Sequence, residues 1–280
     1  MSMIPSLLQL CRPWYTVPVS LTYLLTVYYA RGGAMSGRWS DDAISSVALA
    51  LVIAAAYVVN DIVDCDVDKI NAPWRPCAAQ RVSTGAAAGL AIALAVTGLT
   101  MAATCSVRFL IAVSVIGGAM FAYDLLSKRI GPAKQVMVAV LMTSYYPLAI
   151  VQASGAYGPR AASLAVFPIW LLVTAWGYEL LKDLRDRMGD PPINGRPTSL
   201  QRNPEKWRRL AGTAIAAAAP ILALPVAFGC KWVYAVVAAI AIVLGVAAAF
   251  VPLRRAIVLV YMECLVAAMA AGLDVMLLGV

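Results

Sequence analysis

The chain has no histidine among its 280 residues, and only 13% of its residues are charged. Without histidine, the common zinc sets, haem ligation and imidazole acid–base chemistry lack their usual group. The six cysteines (Cys11, Cys65, Cys77, Cys105, Cys230 and Cys264) form no Cys-x-x-Cys pair and sit in or beside apolar runs. Thiolate metal sites lack their spacing signal, and these cysteines read as small buried hydrophobes. A soluble domain carries about 25% charged residues. Here apolar residues take that place and make up 62% of the chain.

Apolar runs of about 20 residues, enough to cross a hydrocarbon core of about 30 Å, recur along the whole length. The pattern predicts an all-α polytopic membrane protein with nine spans: 14–30, 43–63, 85–106, 109–126, 135–153, 162–181, 208–228, 233–251 and 256–278. The first run is flanked by Arg12, exceeds a signal-peptide core and shows no small-residue cleavage site, so it reads as a retained span. With the N-terminus placed in the cytoplasm, seventeen Lys and Arg fall in inner segments. Five fall outside: Arg31, Arg38, Arg108, Arg160 and Lys231. This bias predicts an N-in, C-out topology. It also accounts for the net charge of +8 as inner loops beside anionic lipid, so no nucleic-acid partner is expected. Two long inner loops, 65–84 and 183–207, carry Pro, Asn and Gly punctuation. No separate soluble module interrupts the spans, and residues 1–280 read as one transmembrane domain.

Eight of the fourteen acidic residues are confined to two short windows at predicted inner helix ends. Asp61, Asp64, Asp66 and Asp68 lie in "NDIVDCDVDKINAPWRP", and Glu179, Asp183, Asp186 and Asp190 lie in "YELLKDLRDRMGD". Asp61–Asp64–Asp68 and Asp183–Asp186–Asp190 share the offsets i, i+3, i+7. At about 100° per residue, each triad falls on one narrow face of a helix. Like charges so placed repel and call for a cation. Carboxylate oxygens, with an amide such as that of Asn60, are hard ligands suited to Mg²⁺, which favours shared phosphate oxygens. Two such stripes would cradle a diphosphate, with Arg75, Lys128, Arg129 and Lys182 as cations at inner helix ends. Asp66 lies about 100° away from its neighbours and is left out.

At these residues the chain resembles the UbiA superfamily of intramembrane prenyltransferases. "NDIVDCDVDKINAPWRP" is similar to that family's NDxxDxxxD motif with its trailing NxPxRP. "KDLRDRMGD" is similar to its second acidic motif, and "YDLLSKR" to its Tyr-to-Lys motif. The resemblance implies a helical barrel open to lipid, with both acidic motifs under a cytoplasmic cap. Mg²⁺ would bridge them to the diphosphate of an isoprenoid donor, and a hydrophobic acceptor, aromatic or lipid-like, would take the prenyl group. It assigns cation ligation to Asn60, Asp61, Asp64, Asp68, Asp183, Asp186 and Asp190, with Asp61, Asp64, Asp183 and Asp186 central to ionisation. Diphosphate contacts fall to Arg75 and Lys128, joined by Arg129, Lys182 and Arg12. An allylic cation needs a water-free chamber and is stabilised by aromatic faces. Tyr57, Tyr145, Tyr146, Trp176 and Tyr178 are the candidates.

Two positions depart from the family's patterns: "RPCAAQRVS" lacks the Ser-Gly of the branch containing the chlorophyll, homogentisate and archaeal-lipid enzymes, and Tyr178 stands where the archaeal-lipid branch often has Arg. They leave the acceptor open. A terpene cyclase, in which the cation is attacked by its own chain, would use the same ionising residues. An ion-coupled transporter is a different reading, for which Glu263 and Asp274 inside the last span are the candidates. The acidic stripes lie at one membrane face, however, rather than at the midplane. A CDP-alcohol phosphotransferase would need a DGxxAR element, which the sequence lacks.

Overall fold

The computed structural model describes residues 3–33, 39–126, 133–154, 158, 160–188 and 197–278. Regular structure among them is helical: α1 (Met3–Leu10), α2 (Pro13–Ala30), α3 (Trp39–Val63), α4 (Cys65–Asn71), α5 (Thr84–Cys105), α6 (Val107–Leu126), α7 (Ala133–Thr143), α8 (Tyr145–Gln152), α9 (Ala161–Asp186), α10 (Ser199–Arg202), α11 (Pro204–Ala218), α12 (Leu224–Ala227), α13 (Trp232–Ala248) and α14 (Leu253–Met276). Among the described residues, seven segments are long and apolar enough to cross a membrane: Trp39–Val63, Thr84–Cys105, Val107–Leu126, Ala133–Gln152, Ala161–Asp186, Pro204–Ala227 and Leu253–Met276. The two other expected spans coincide with α2, of 18 residues, and α13, of 17. The chain is an all-helical integral membrane protein.

Local chemistry sets several helix ends. Ser83 caps α5 by accepting from the Ala86 N–H at 3.2 Å. Thr198 and Gln201 form a reciprocal capping box on α10, and Pro204 opens α11, where its missing N–H costs nothing. The expected span 135–153 is not one straight helix. It breaks at Ser144, because the ring of Pro147 clashes with the carbonyl four residues back, that of Thr143, where α7 ends. Likewise α11 tightens into a 3₁₀ turn, Ala219–Ala223, at Pro220 before Pro225 opens α12. The expected span 162–181 is exceeded at its C-terminal end: "ELLKDLRD" holds no Gly or Pro, so α9 continues to Asp186 and makes Asp183 and Asp186 helical.

The helices sort into two compact units. The first comprises α1, α2 up to Leu24, and α3 to α6. One core cluster packs Leu10, Val58, Cys77, Val82, Ala87 and Ala91 together, fastening α1, the end of α3 and the segment after α4 to α5. α3 and α5 approach so closely that a Cβ at Gly98 would lie 2.9 Å from the Ala48 carbonyl oxygen. Small residues permit such packing where lipid removes any hydrophobic drive between helices.

The second unit holds the end of α2 and α7 to α14. Its core joins Tyr178, Leu180 and Leu181 of α9 to Ala211 and Ile215 of α11, Ala248 of α13 and Ala256, Ile257 and Val260 of α14. The two intramembrane acids of α14 belong to this unit. Asp274, fully buried, accepts from Arg160 Nε at 2.7 Å, Arg160 Nη2 at 3.3 Å and the Lys231 backbone N–H at 2.7 Å. Glu263, also fully buried, accepts from Trp170 Nε1 at 2.9 Å. Gly245 of α13 makes room for it: a Cβ there would come within 2.7 Å of the carboxyl group.

Candidate active site

The first acidic window lies in the first unit, where α3 gives way to α4. Asn60 and Asp61 occupy the last turn of α3, Asp64 is the joint, and Asp68 lies on α4. The backbone bonds Asp64 N–H to Asn60 C=O and Asp68 N–H to Asp64 C=O carry the helical turn across the joint, at 2.9 and 2.8 Å. Asp61 and Asp68 are buried. Arg75 reaches both, donating to Asp68 Oδ2 at 2.5 Å and lying 3.7 Å from Asp61 Oδ1. Burial lifts the Asp68 carboxyl to about 6, against the downward pull of Arg75.

Arg12 comes to the same place from the α1–α2 junction. It adopts φ +46°, a conformation uncommon for a residue other than glycine. Its guanidinium donates to Asp61 Oδ1 and, at 3.0 Å, to Asn60 Oδ1, and lies 4.8 Å over the Tyr57 ring. Burial works against that charge, and Asp61, with Tyr57 and Asp68, more than offsets it, so Arg12 is held protonated. The Asn60 nitrogen faces the other way, donating to Asp64 Oδ2 at 3.0 Å and to Asp124 Oδ1 at 3.2 Å. Four carboxyl groups thus gather around one amide and two guanidiniums. Asp66 points to solvent and pairs with Lys69 at 2.7 Å.

The second window lies in the second unit, at the end of α9. Asp183 receives Lys134 Nζ at 2.9 Å on one oxygen and Gln135 Nε2 at 2.6 Å on the other, both from the first turn of α7. The Gln135 amide oxygen is buried and has no hydrogen-bond partner. Asp186 is chelated by its neighbour Arg185 at 2.6 and 2.7 Å. Lys182 pairs with Glu179 at 2.7 Å and lies 5.3 Å from the Tyr178 ring centre. Lys128, Arg129 and Asp190 lie outside the described residues.

The candidate aromatics divide by setting. Tyr57 lies beneath Arg12 and 6.2 Å from Tyr15. Tyr145 and Tyr146 stack at 4.3 Å and are buried. Trp176 lines an apolar groove of about 200 Å³ with Val136, Ala139, Val140, Leu172 and Val173. Tyr178 is packed into the core of its unit. Four residues that contact the motif side chains were not among the sequence candidates: Asp124, Lys134, Gln135 and Arg185. Asp124 lies inside the "YDLLSKR" stretch but was not singled out there, and Gln135 leaves no trace.

Among the described residues, no three Asp, Glu or Cys side chains stand close enough together to cage a cation as they are. Arginine, lysine and amide donors occupy the carboxylates. The donor set nonetheless fits Mg²⁺: every ligand is a hard oxygen, and the orphaned Gln135 oxygen beside Asp183 calls for a positive partner. The thiols nearby, Cys11 and Cys77, are pushed up by burial, Cys77 to about 11, and do not supply thiolate.

The sequence profile of the UbiA prenyltransferase family matches residues 17–257. A relative named digeranylgeranylglyceryl phosphate synthase, from Hyperthermus butylicus, is 29% identical over 198 residues, covering 68% of this chain and 65% of the relative. The chain thus spans just under two thirds of that relative's length. Two solved structures share the fold. One is a UbiA homologue from Aeropyrum pernix, with a TM-score of 0.72, 16% identity and coverage of 99% and 98% of the two chains. The other is a UbiA homologue from Archaeoglobus fulgidus bound to GPP and Mg²⁺, with a TM-score of 0.71, 15% identity and coverage of 97% and 99%.

Proposed function

The chain belongs to the UbiA prenyltransferase family, and on that premise we propose that it is a Mg²⁺-dependent intramembrane enzyme that moves a prenyl group from an isoprenoid diphosphate to a lipid-like acceptor. The observation that carries the reading is the cluster at the α3–α4 joint. There Asn60, Asp61, Asp64, Asp68 and Asp124 gather with Arg12 and Arg75 at the end of a membrane helix. The binding of GPP and Mg²⁺ by the Archaeoglobus homologue supports it.

Asn60, Asp61, Asp64 and Asp68 would hold one cation, and Asp183, Asp186 and Asp190 another. Bound Mg²⁺ supplies positive charge against which the diphosphate departs. Arg12 and Arg75 present planar guanidinium forks that match phosphate oxygens, and Lys128, Arg129 and Lys182 are further candidate cations for a diphosphate. Ionisation breaks the bond between the prenyl C1 and the diphosphate oxygen, and the electron pair leaves with the diphosphate. Cationic side chains fixed beforehand favour this step because they need no reorganisation as charge develops. The acceptor nucleophile then bonds to C1 and gives up its proton. The apolar spans hold the tail and keep out water, which would otherwise capture the cation. Tyr57, with Arg12 4.8 Å over its ring, is the candidate aromatic of the first cluster for stabilising this charge. The active site is assigned to the cytoplasmic side, from the Lys and Arg bias of the inner loops.

The acceptor to test first is a prenylated glyceryl phosphate, following the name of the Hyperthermus relative. Purified protein with Mg²⁺, an isoprenoid diphosphate and that acceptor is expected to release diphosphate and form the prenylated product. Asp61→Ala and Asp183→Ala are each expected to abolish turnover while the protein remains folded in detergent. Full activity in either variant overturns the site. A hydrocarbon formed from the donor alone would make the protein a cyclase.

A further inference from the structure

Asn60 and Gln135 play parallel parts in the two acidic groups. Each turns its amide nitrogen to a motif carboxylate, Asn60 to Asp64 at 3.0 Å and Gln135 to Asp183 at 2.6 Å. In the first group the amide oxygen is answered by a cation, because Arg12 donates to Asn60 Oδ1 at 3.0 Å. In the second it is not: Gln135 is 5% exposed and its Oε1 has no partner. Turning the amide over would not relieve this. Asp183 pairs with Lys134 at 2.9 Å on its other oxygen, and a flipped amide would set the Gln135 oxygen against an acceptor oxygen of Asp183. A buried acceptor without a donor is destabilising, and the fold keeps this one beside an acidic motif residue.

We propose that Gln135 is a cation-site residue of the second acidic motif, its amide oxygen accepting a hydrogen bond from the hydration shell of the Mg²⁺ that Asp183 holds. The inference rests on the function proposed above and adds a residue to it. Mg²⁺ keeps several waters when bound by one or two carboxylates. Those waters are strong donors, and a neutral amide oxygen serves them without adding another negative charge to the site. Residues that hold a metal ligand or its water typically contribute 10–100-fold to metal affinity.

Mn²⁺ titration of the purified full chain in detergent, read by electron paramagnetic resonance with inorganic pyrophosphate present, tests this without turnover. Gln135→Met keeps the length and apolar stem and removes the oxygen; it is expected to weaken Mn²⁺ binding about 10–100-fold. Gln135→Glu loses the N–H donated to Asp183 but keeps an oxygen, and is expected to bind at least as tightly as the unaltered chain. Wild-type affinity in Gln135→Met overturns the inference. Equal weakening in both variants also overturns it, since the lost N–H to Asp183 would then explain the effect. Asp183→Asn separates the two levels. If it loses Mn²⁺ while Gln135→Met does not, the proposed function stands and only this inference fails. If the unaltered chain binds no Mn²⁺ with pyrophosphate, the proposed function fails with it.

Discussion

At the residue scale, Asn60 ties the first cluster together, with one amide serving Arg12, Asp64 and Asp124. Replacing it by Ala leaves Asp64 and Asp124 without the donor between them and frees Arg12 from its second acceptor. Asn60→Ala is expected to lower kcat/KM for the donor about 10–100-fold. Asp124→Ala should give a smaller loss, and the double variant should fall short of the sum by about 0.5–3 kcal/mol, because the residues act as one network. Strictly additive losses in that cycle would place Asp124 outside the site. Asp274 makes a contrasting case, because its partners are a buried arginine and a backbone N–H in its own unit. Asp274→Ala strands the Arg160 guanidinium, whose side chain is 8% exposed. The expected cost is about 3–5 kcal/mol, seen as a lower Tm in detergent. An unchanged Tm would mean that the pair holds nothing together. The transport reading of this acid loses its motive, since Asp274 is occupied by the structure that surrounds it.

At the element scale, helix α5 supplies its own control for close packing. A Cβ at Gly98 would meet the Ala48 carbonyl oxygen at 2.9 Å and Val52 Cγ2 at 3.0 Å, whereas one at Gly89 would meet nothing within 4 Å. Helix propensity favours Ala over Gly at both positions by up to about 1 kcal/mol. Gly89→Ala should therefore be neutral or stabilising. Gly98→Ala should destabilise by about 1–3 kcal/mol, since the obstacle is backbone and α3 must move away. Equal Tm shifts for the two would remove the α3–α5 contact as a determinant of stability. Elements also explain what the sequence disclosed. The carboxylate offsets Asp61–Asp64–Asp68 and Asp183–Asp186 could be counted because charge is rare around them and helical period is fixed. The break at Ser144 and the extension of α9 to Asp186 turn on Pro147 and on the lack of a breaker, both weak against an apolar run. The pairings of Gln135 and of Asp124, which lies inside "YDLLSKR", were out of reach for another reason. Each side chain acts on a motif residue 48 or 64 positions away, and a single amide or acid leaves no periodic trace.

At the scale of the whole molecule, the remaining expectation is orientation, which rests on charge rather than packing. Seventeen Lys and Arg were assigned to inner segments and five to outer ones. Such a bias sets topology because positive loops resist translocation, whereas Asp and Glu contribute little. The acidic motifs therefore do not weaken it, although they lie in the same inner segments. Moving a single helix across the bilayer would invert every loop after it, so a few sites test the arrangement. In a background with the six native cysteines replaced, single cysteines at Lys69 and Lys206 are expected to resist a membrane-impermeant maleimide applied to intact cells. Cysteines at Arg108 and Trp232 are expected to react with it, and all four should react once the membrane is opened. Lys69 and Trp232 are exposed in their units, so silence at a site would report its side of the membrane rather than burial. Labelling of Lys69→Cys in intact cells would turn the α3–α4 joint outward. The cluster around Asn60 would then face away from the cytoplasm, and the assignment of the active site to that side would fail with it.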